Sequence, residues 1–219
     1  TAGTYKVILT ITTANSCTDT ISKTIVVNPN ANVAFTINNA AQCLRGNSFT
    51  YTSTSTVTAG TLTNAWNYGD GGTGTGSPVT RAYAAAGPYK VLLTATTSGG
   101  CVDTLSKYVT VYPQATRNIA FNTQRQCLKS NSFVFTNTST VVAPGNMMKW
   151  AWAWGDTKTD TAKSPTHVYT TAGTYKVILT ITTANNCTDT ISKTIVVSPS
   201  ATLGLAINNA TQCLKNNSF

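Results

Sequence analysis

The stretch TAGTYKVILTITTANNCTDTISKTIVV, residues 171–197, decides the reading of the chain, because residues 1–27 repeat it with Ser16 in place of Asn186 as the only change. A weaker copy, AAGPYKVLLTATTSGGCVDTLSKYVTV, lies between them at residues 85–111. Within it apolar and polar residues alternate, the period of a half-buried strand. Tyr89, Val91, Leu93 and Ala95 share one face, and Lys90, Thr94 and Thr96 the other. Tyr5, Val7, Leu9 and Ile11 match them in the first copy, as do Tyr175, Val177, Leu179 and Ile181 in the last. Gly3, Gly87 and Gly173 set steps of 84 and 86 residues, so the repeating unit is one small domain.

Composition agrees with strands. Charged residues make up 10% of the 219, against about 25% in an average soluble domain. Thr fills 44 positions and Glu none, which disfavours helix and suits a pleated surface. With 15 glycines in 219 residues, collagen is excluded. No apolar run approaches the ~20 residues of a membrane helix, and no signal peptide opens the chain. The expectation is an all-β, secreted protein without membrane insertion. Fifteen Lys and Arg against six Asp give a charge of +9. The lysines recur singly at matching places, Lys6, Lys90 and Lys176, then Lys23, Lys107 and Lys193. That spread reads as protection of β-edges rather than a nucleic-acid face.

Pro and Asn punctuation after each last strand (Asn28-Pro29, Tyr112-Pro113, Ser198-Pro199) sets the expected domain edges. Residues 1–29 read as the back part of one domain. Residues 30–113 and 114–199 read as whole domains, and 200–219 as the start of another. Phe49 with Tyr51 and Phe133 with Phe135 mark a second strand type. Leu62, Trp66 and Tyr68, matched by Trp150, Trp152 and Trp154, mark a third. About seven strands per unit are expected, packed as a sandwich around a central Trp66 or Trp152.

These residues carry a family resemblance. WNYGDG (66–71), SPVTRAY (77–83) and GPYKVLLT (87–94) resemble the signature of the PKD (polycystic kidney disease) domain. The next unit repeats it as WAWGDT (152–157), SPTHVY (164–169) and GTYKVILT (173–180). The signature residues are Trp66, Asp70 and Tyr83, then Trp152, Asp156, His167 and Tyr169. Two positions depart from it, Thr157 in place of Gly and Arg81 in place of His. The resemblance implies tandem immunoglobulin-like β-sandwiches of about 85 residues arranged head to tail, used outside the cell as spacers or adhesive modules. In style it is similar to giant surface and gliding adhesins of Bacteroidetes exported by the type IX system.

No catalytic constellation stands out. His167 is the only histidine, and no carboxylate pair has acid–base spacing. No cofactor is expected. GDGGTGTGSP (69–78) reads as a wide hairpin loop, since it is not G-x-G-x-x-G and no helix follows. Asp70, Asp156 and Asp160 are weak Ca²⁺ candidates, with turn stabilisation the competing role. Asp-Thr-apolar triplets make Thr20, Thr104, Thr161 and Thr190 candidates for O-glycosylation, by resemblance to the Bacteroidetes motif. The same triplets also make ordinary strand starts. Thr-x-Thr ice binding and Lys–Asn isopeptide bonds are both disfavoured.

Six cysteines recur two per repeat: Cys17, Cys43, Cys101, Cys127, Cys187 and Cys213. Without zinc spacing, and in a secreted β protein, they read as disulfides. Cys43 and Cys127 are expected in the loop joining the first two strands, and Cys17, Cys101 and Cys187 in the turn joining the last two. In an immunoglobulin-like sandwich those two places lie at opposite ends, about 30 Å apart along a strand. An inter-domain Cys43–Cys187 pair is therefore favoured, with within-domain Cys43–Cys101 and other pairings left open. Cys17, Cys101, Cys127 and Cys213 would find partners in further domains. The expected function is a repeat segment of an extracellular or cell-surface fibre, stalk or adhesin shaft, its partners being neighbouring copies of the repeat and other chains of the fibre. The alternatives are a glycan-binding module, using Trp150, Tyr68 or Trp154, and an accessory segment of a secreted hydrolase.

Overall fold

The computed structural model describes residues 1–142 and 148–206, and among these every regular element is a β-strand. The contacts divide the described residues into two compact units, one built on Thr1–Gln114 and the other on Ala115–Thr140 with residues 148–206.

The first unit opens with a hairpin of β1 (Gly3–Thr12) and β2 (Thr18–Val27). There follow β3 (Phe35–Ile37), β4 (Ala41–Cys43), β5 (Phe49–Ser53), β6 (Leu62–Asn67), β7 (Thr73–Thr75), β8 (Val79–Arg81), β9 (Gly87–Thr97) and β10 (Val102–Tyr112). They form a three-stranded sheet, β3-β5-β8, and a five-stranded sheet, β4-β10-β9-β6-β7. The second unit repeats the plan with β11 (Ile119–Phe121), β12 (Arg125–Cys127), β13 (Phe133–Asn137), β14 (Met148–Ala153), β15 (Thr159–Asp160), β16 (Thr166–His167), β17 (Gly173–Thr183) and β18 (Thr188–Ser198). Its sheets are β11-β13-β16 and β12-β18-β17-β14-β15. The chain is thus all-β, two immunoglobulin-like sandwiches in tandem.

Each sandwich has eight strands rather than seven, because the first strand breaks in two. At the break Asn38 Oδ1 accepts the Asn39 N–H at 2.9 Å and Asn39 Oδ1 accepts the Ala41 N–H at 3.1 Å. These local bonds compete with the ladder and turn the chain. β3 therefore stays with one sheet while β4 crosses to run parallel to the end of β10.

The alternation read from the sequence buries the expected face. Val91, Leu93 and Ala95 are fully buried in the first sandwich, and Val177, Leu179 and Ile181 in the second. Trp66 meets the Phe35 ring edge-on at 5.1 Å, and Trp152 stacks on Trp154 at 5.3 Å. The β1–β2 hairpin carries the same residues, yet its Val7, Leu9 and Ile11 are 52–60% exposed. Identical sequence gives identical hairpin register, Gly3 to Val27 and Gly173 to Val197, while burial depends on the opposing sheet.

The lysines need a correction. Lys90 and Lys176 sit on β9 and β17, which are flanked by strands on both sides and are not edges. Lys107 does lie on the stretch of β10 beyond the reach of β4, where its ammonium donates to the Phe35 carbonyl and stands 4.9 Å from the Phe35 ring.

Candidate functional site

Two groups of residues recur at fixed places in both sandwiches: a polar corner that fastens the two sheets, and the cysteines at the strand ends.

In the first sandwich the corner forms where the chain leaves β6. Gly69 turns with φ of +80°, and a Cβ there would lie 2.6 Å from the Lys90 carbonyl oxygen, so glycine is required. Asp70 then faces Arg81 on β8, whose Nη2 and Nε donate to Asp70 Oδ2 at 2.6 and 2.9 Å. The guanidinium also lies 5.4 Å from the Tyr68 ring centroid. Two residues on, the Tyr83 hydroxyl donates to the Tyr68 carbonyl at 2.9 Å and also bonds the Tyr51 hydroxyl. Asn47 closes the corner from the connection between β4 and β5. Its Nδ2 donates to the Tyr83 and Leu44 carbonyls at 2.9 and 2.7 Å, and its Oδ1 accepts the Tyr83 N–H at 2.7 Å.

The second sandwich builds the same corner with different chemistry at one position. His167 replaces Arg81: its Nε2 lies 2.9 Å from Asp156 Oδ2, and its ring stacks on Trp154 at 4.6 Å. Tyr169 donates to the Trp154 carbonyl at 2.8 Å, and Asn131 brackets the Tyr169 backbone as Asn47 does Tyr83. Thr157, at the place of Gly71, takes a φ of +73°, a left-handed conformation that a β-branched residue adopts at a cost. The sequence reading missed Asn47 and Asn131. Their signal is the N-S-F triplet at 47–49 and 131–133, in the same place of each repeat.

The corner is structural in its electrostatics. Burial pushes the Asp70 carboxyl up, but bonds from Arg81 and the Gly72 amide outweigh it and hold the carboxyl below its usual range. Burial also pushes Asp156 up, and His167 and the Lys158 amide bring it down in the same way. Burial raises the Tyr51 and Tyr169 hydroxyls far above the usual tyrosine range. Both aspartates spend their oxygens on the Arg81 or His167 side chain and on turn amides, and Asp160 accepts the Ala162 N–H at 2.7 Å. Among the described residues no three His, Cys, Asp or Glu side chains converge on one point. The aromatic row imagined for glycan binding is not at the surface. Tyr68 and Trp154 are 4% and 1% exposed, and half-buried Trp150 packs against the core.

The cysteines fall into two geometric classes. Cys43 and Cys127 end β4 and β12, which run parallel to the last strand, so Cys43 sits opposite Tyr112 and Cys127 opposite Ser198. They belong to paired strands rather than to the expected loop. Cys17, Cys101 and Cys187 sit in the turn before the last strand. Eleven residue steps along β10 separate Cys101 from Cys43's neighbour Tyr112, about 36 Å at strand rise. Cys43 and Cys187 are disulfide-bonded, whereas Cys17, Cys101 and Cys127 are thiols. Cys213 lies outside the described residues. Thr20, Thr104, Thr161 and Thr190 are all exposed, the first, second and fourth on the last strand of their hairpins.

Comparison with known proteins places this architecture. The PKD domain family model matches residues 26–111 and 115–198. The PKD1 domain of Vibrio anguillarum Epp is 28% identical over 40% of this chain and 99% of its own, with a TM-score of 0.35. The PKD1 domain of the Vibrio cholerae metalloprotease PrtV is also 28% identical, over 39% and 98%, with a TM-score of 0.31. A Ca²⁺-stabilized ice-binding adhesin of an Antarctic bacterium is 12% identical over 90% of this chain and 57% of its own (TM-score 0.39), too distant to bear on function. No curated protein sequence matches the chain. Two consecutive family matches, each spanning one sandwich with its corner and its cysteine pair, make this chain a member of the PKD domain family.

Proposed function

We propose that the chain is a load-bearing stretch of a tandem PKD array, the shaft of an extracellular fibre, stalk or adhesin, with each junction between repeats locked by a disulfide. Tandem PKD domains of this kind fit an extracellular repeat or adhesion module, and the composition suits a solvent-facing β-surface copied many times. The observation that carries the reading is the oxidation state: Cys43 and Cys187, one from each geometric class and one from each sandwich, are disulfide-bonded. In this proposal they are each other's partners. The thiol state of Cys101 opposes the within-domain alternative.

A crosslink at a strand end has a mechanical consequence. The peptide linker alone is a hinge, and a second covalent tie beside it removes the bending freedom. In the chain-entropy account, a closed loop of more than 100 residues also contributes roughly 5 kcal/mol. Non-reducing peptide mapping tests the pairing, and small-angle scattering before and after reduction tests its role. The expected results are a Cys43–Cys187 linked peptide and a maximum dimension that spreads or shrinks on reduction while both sandwiches stay folded. A Cys43–Cys101 peptide, or a scattering profile indifferent to reduction, overturns the reading.

A further inference from the structure

The cysteine-bearing turn is the same device three times. Thr13, Thr97 and Thr183 each donate their N–H to the carbonyl of Cys17, Cys101 or Cys187, at 2.8–2.9 Å. Each threonine hydroxyl accepts the cysteine N–H in return, at 3.1–3.2 Å. The residue before the cysteine turns left-handed: Ser16 at +65°, Gly100 at +82°, Asn186 at +58°. The thiol is therefore presented the same way in every copy, and in the last copy it is oxidised.

What faces this turn is visible inside the first unit. Asn28, the residue after β2, donates its Nδ2 to the Gly99 carbonyl at 2.9 Å. Cys101 Sγ lies 3.8 Å from the Asn28 carbonyl oxygen. A Cβ on Gly99 would fall 2.5 Å from Asn28 Cγ, so a side chain there would displace Asn28. Asn28 is 84 residues before Tyr112 and 170 before Ser198, the two residues that pair in parallel with Cys43 and Cys127. Neighbouring strands lie about 4.8 Å apart. A strand laid beside β2 as β4 is laid beside β10 would therefore place its cysteine next to Asn28, the residue whose carbonyl the Cys101 thiol meets.

We infer that the flank of β2 at Val26–Asn28 is a docking edge for a parallel strand of the Gln-Cys type, such as Arg125–Cys127, and that Cys101 is the disulfide partner of that strand's cysteine. The occupant is the strand of another PKD repeat whose closing hairpin is β1–β2. Cys127, beside Ser198, stands ready to serve a following repeat in the same manner. This rests on the junction reading above and extends it to cysteines that are thiols here. The chemistry is thiol–disulfide exchange with a small-molecule disulfide. One thiolate attacks it, releasing one reduced thiol and leaving a mixed disulfide. The second thiolate displaces the other reduced thiol, so two protein thiols lose two electrons and two protons to the oxidant.

The test extends the whole chain at its N-terminus with a copy of residues 30–170. Thr1 then follows residue 170 as Thr171 does, and β1–β2 is preceded by the same strands as β17–β18. Refolded in a glutathione redox buffer, the extended protein should yield a peptide joining the added copy's Cys127 to Cys101. Alkylation of Cys101 should slow at least tenfold relative to the parent chain, and Cys101→Ser should leave that Cys127 fully alkylatable. Cys101 alkylated at the parent rate, or linked to Cys17, overturns the inference. The Cys43–Cys187 peptide in the same digest separates the two ideas, because its survival leaves the junction reading intact while this one falls. Should the extended chain fail to fold, the peptide Ile119–Leu128, activated as a mixed disulfide, is offered to the parent chain. Selective capture by Cys101 at least tenfold over a scrambled peptide supports the inference, and equal capture of Cys101 and Cys17 overturns it.

Discussion

Asn131→Ala should be among the most damaging single substitutions in the second sandwich, although the Asn131 side-chain bonds go only to backbone groups. The amide makes three hydrogen bonds: Nδ2 to the Leu128 and Tyr169 carbonyls, both at 2.8 Å, and Oδ1 from the Tyr169 N–H, also at 2.8 Å. The residue is 4% exposed, so water does not replace them freely. Leaving a buried donor unsatisfied costs about 1–3 kcal/mol, and a lost ordinary bond about 1 kcal/mol. One orphaned amide and two weakened carbonyls then amount to about 3 kcal/mol, a large part of the roughly 5–15 kcal/mol that holds a domain together. Urea unfolding followed by tryptophan fluorescence reads this domain, because Trp150, Trp152 and Trp154 all belong to it. With an m-value of about 1.5 kcal/mol/M, the midpoint should fall by about 2 M with the slope unchanged. Asn131→Asp keeps the acceptor for the Tyr169 amide but sets a carboxylate against two carbonyls, so it should be no better at neutral pH and should recover in acid. If Asn131→Ala unfolds within about 0.5 kcal/mol of the parent, a surface-like effect, the corner is not what fastens the sheets.

Thr157→Gly should stabilise the second sandwich. It relieves a left-handed cost of about 1–2 kcal/mol against an unfolded-state entropy cost of about 0.4–1 kcal/mol. The expected net gain in urea unfolding is about 0.5 kcal/mol, and a loss would refute the strain argument. Gly69→Ala should cost more than Gly155→Ala, since the new Cβ meets the Lys90 carbonyl oxygen at 2.6 Å in one case and the Lys176 carbonyl oxygen at 3.1 Å in the other; equal losses would remove the close approach as the cause. Asp70 and Asp156 are held below the ordinary carboxyl range in the folded state. The unfolded chain therefore takes up protons first on acidification. Their stabilisation is present above pH of about 4 and is lost as pH falls through the folded pKa. Asp156→Asn should flatten the acid limb of stability for the second sandwich, and an unchanged limb would show that the His167 contact contributes nothing.

The fold was legible because its signal is periodic and local. Tyr89, Val91, Leu93 and Ala95 fall on one face of a strand by simple alternation, and the pattern recurs at a domain-sized step, so strand type, repeat and sandwich all follow from one observation. The corner was half legible. Asp70, Tyr83, Asp156, His167 and Tyr169 stand in a motif, but Asn47 and Asn131 act on it from 36 and 38 residues away, a separation at which no local rule operates. The broken first strand was hidden for a different reason. Asn38 and Asn39 are ordinary turn residues, and only the competition between their side chains and the ladder sends β4 to the other sheet.

That break decides where the cysteines go. Had the first strand stayed whole, Cys43 would belong to the sheet of β5 and β8, away from the end of β10. Crossing over puts it in parallel register with Tyr112, at the point where the chain leaves the domain. The proposed pairing of strand-end and turn cysteines thus depends on two asparagines breaking a strand, and the proposed function of the array rests on that break as much as on the cysteines themselves. Removing the side chains that make it, with Asn38→Val and Asn39→Val, should draw residues 38–41 back toward the first sheet. Cys43 should then become slower to form its disulfide while the β9–β10 hairpin stays protected from hydrogen exchange. Unchanged disulfide formation in that variant would show that the parallel register of β4 comes from elsewhere.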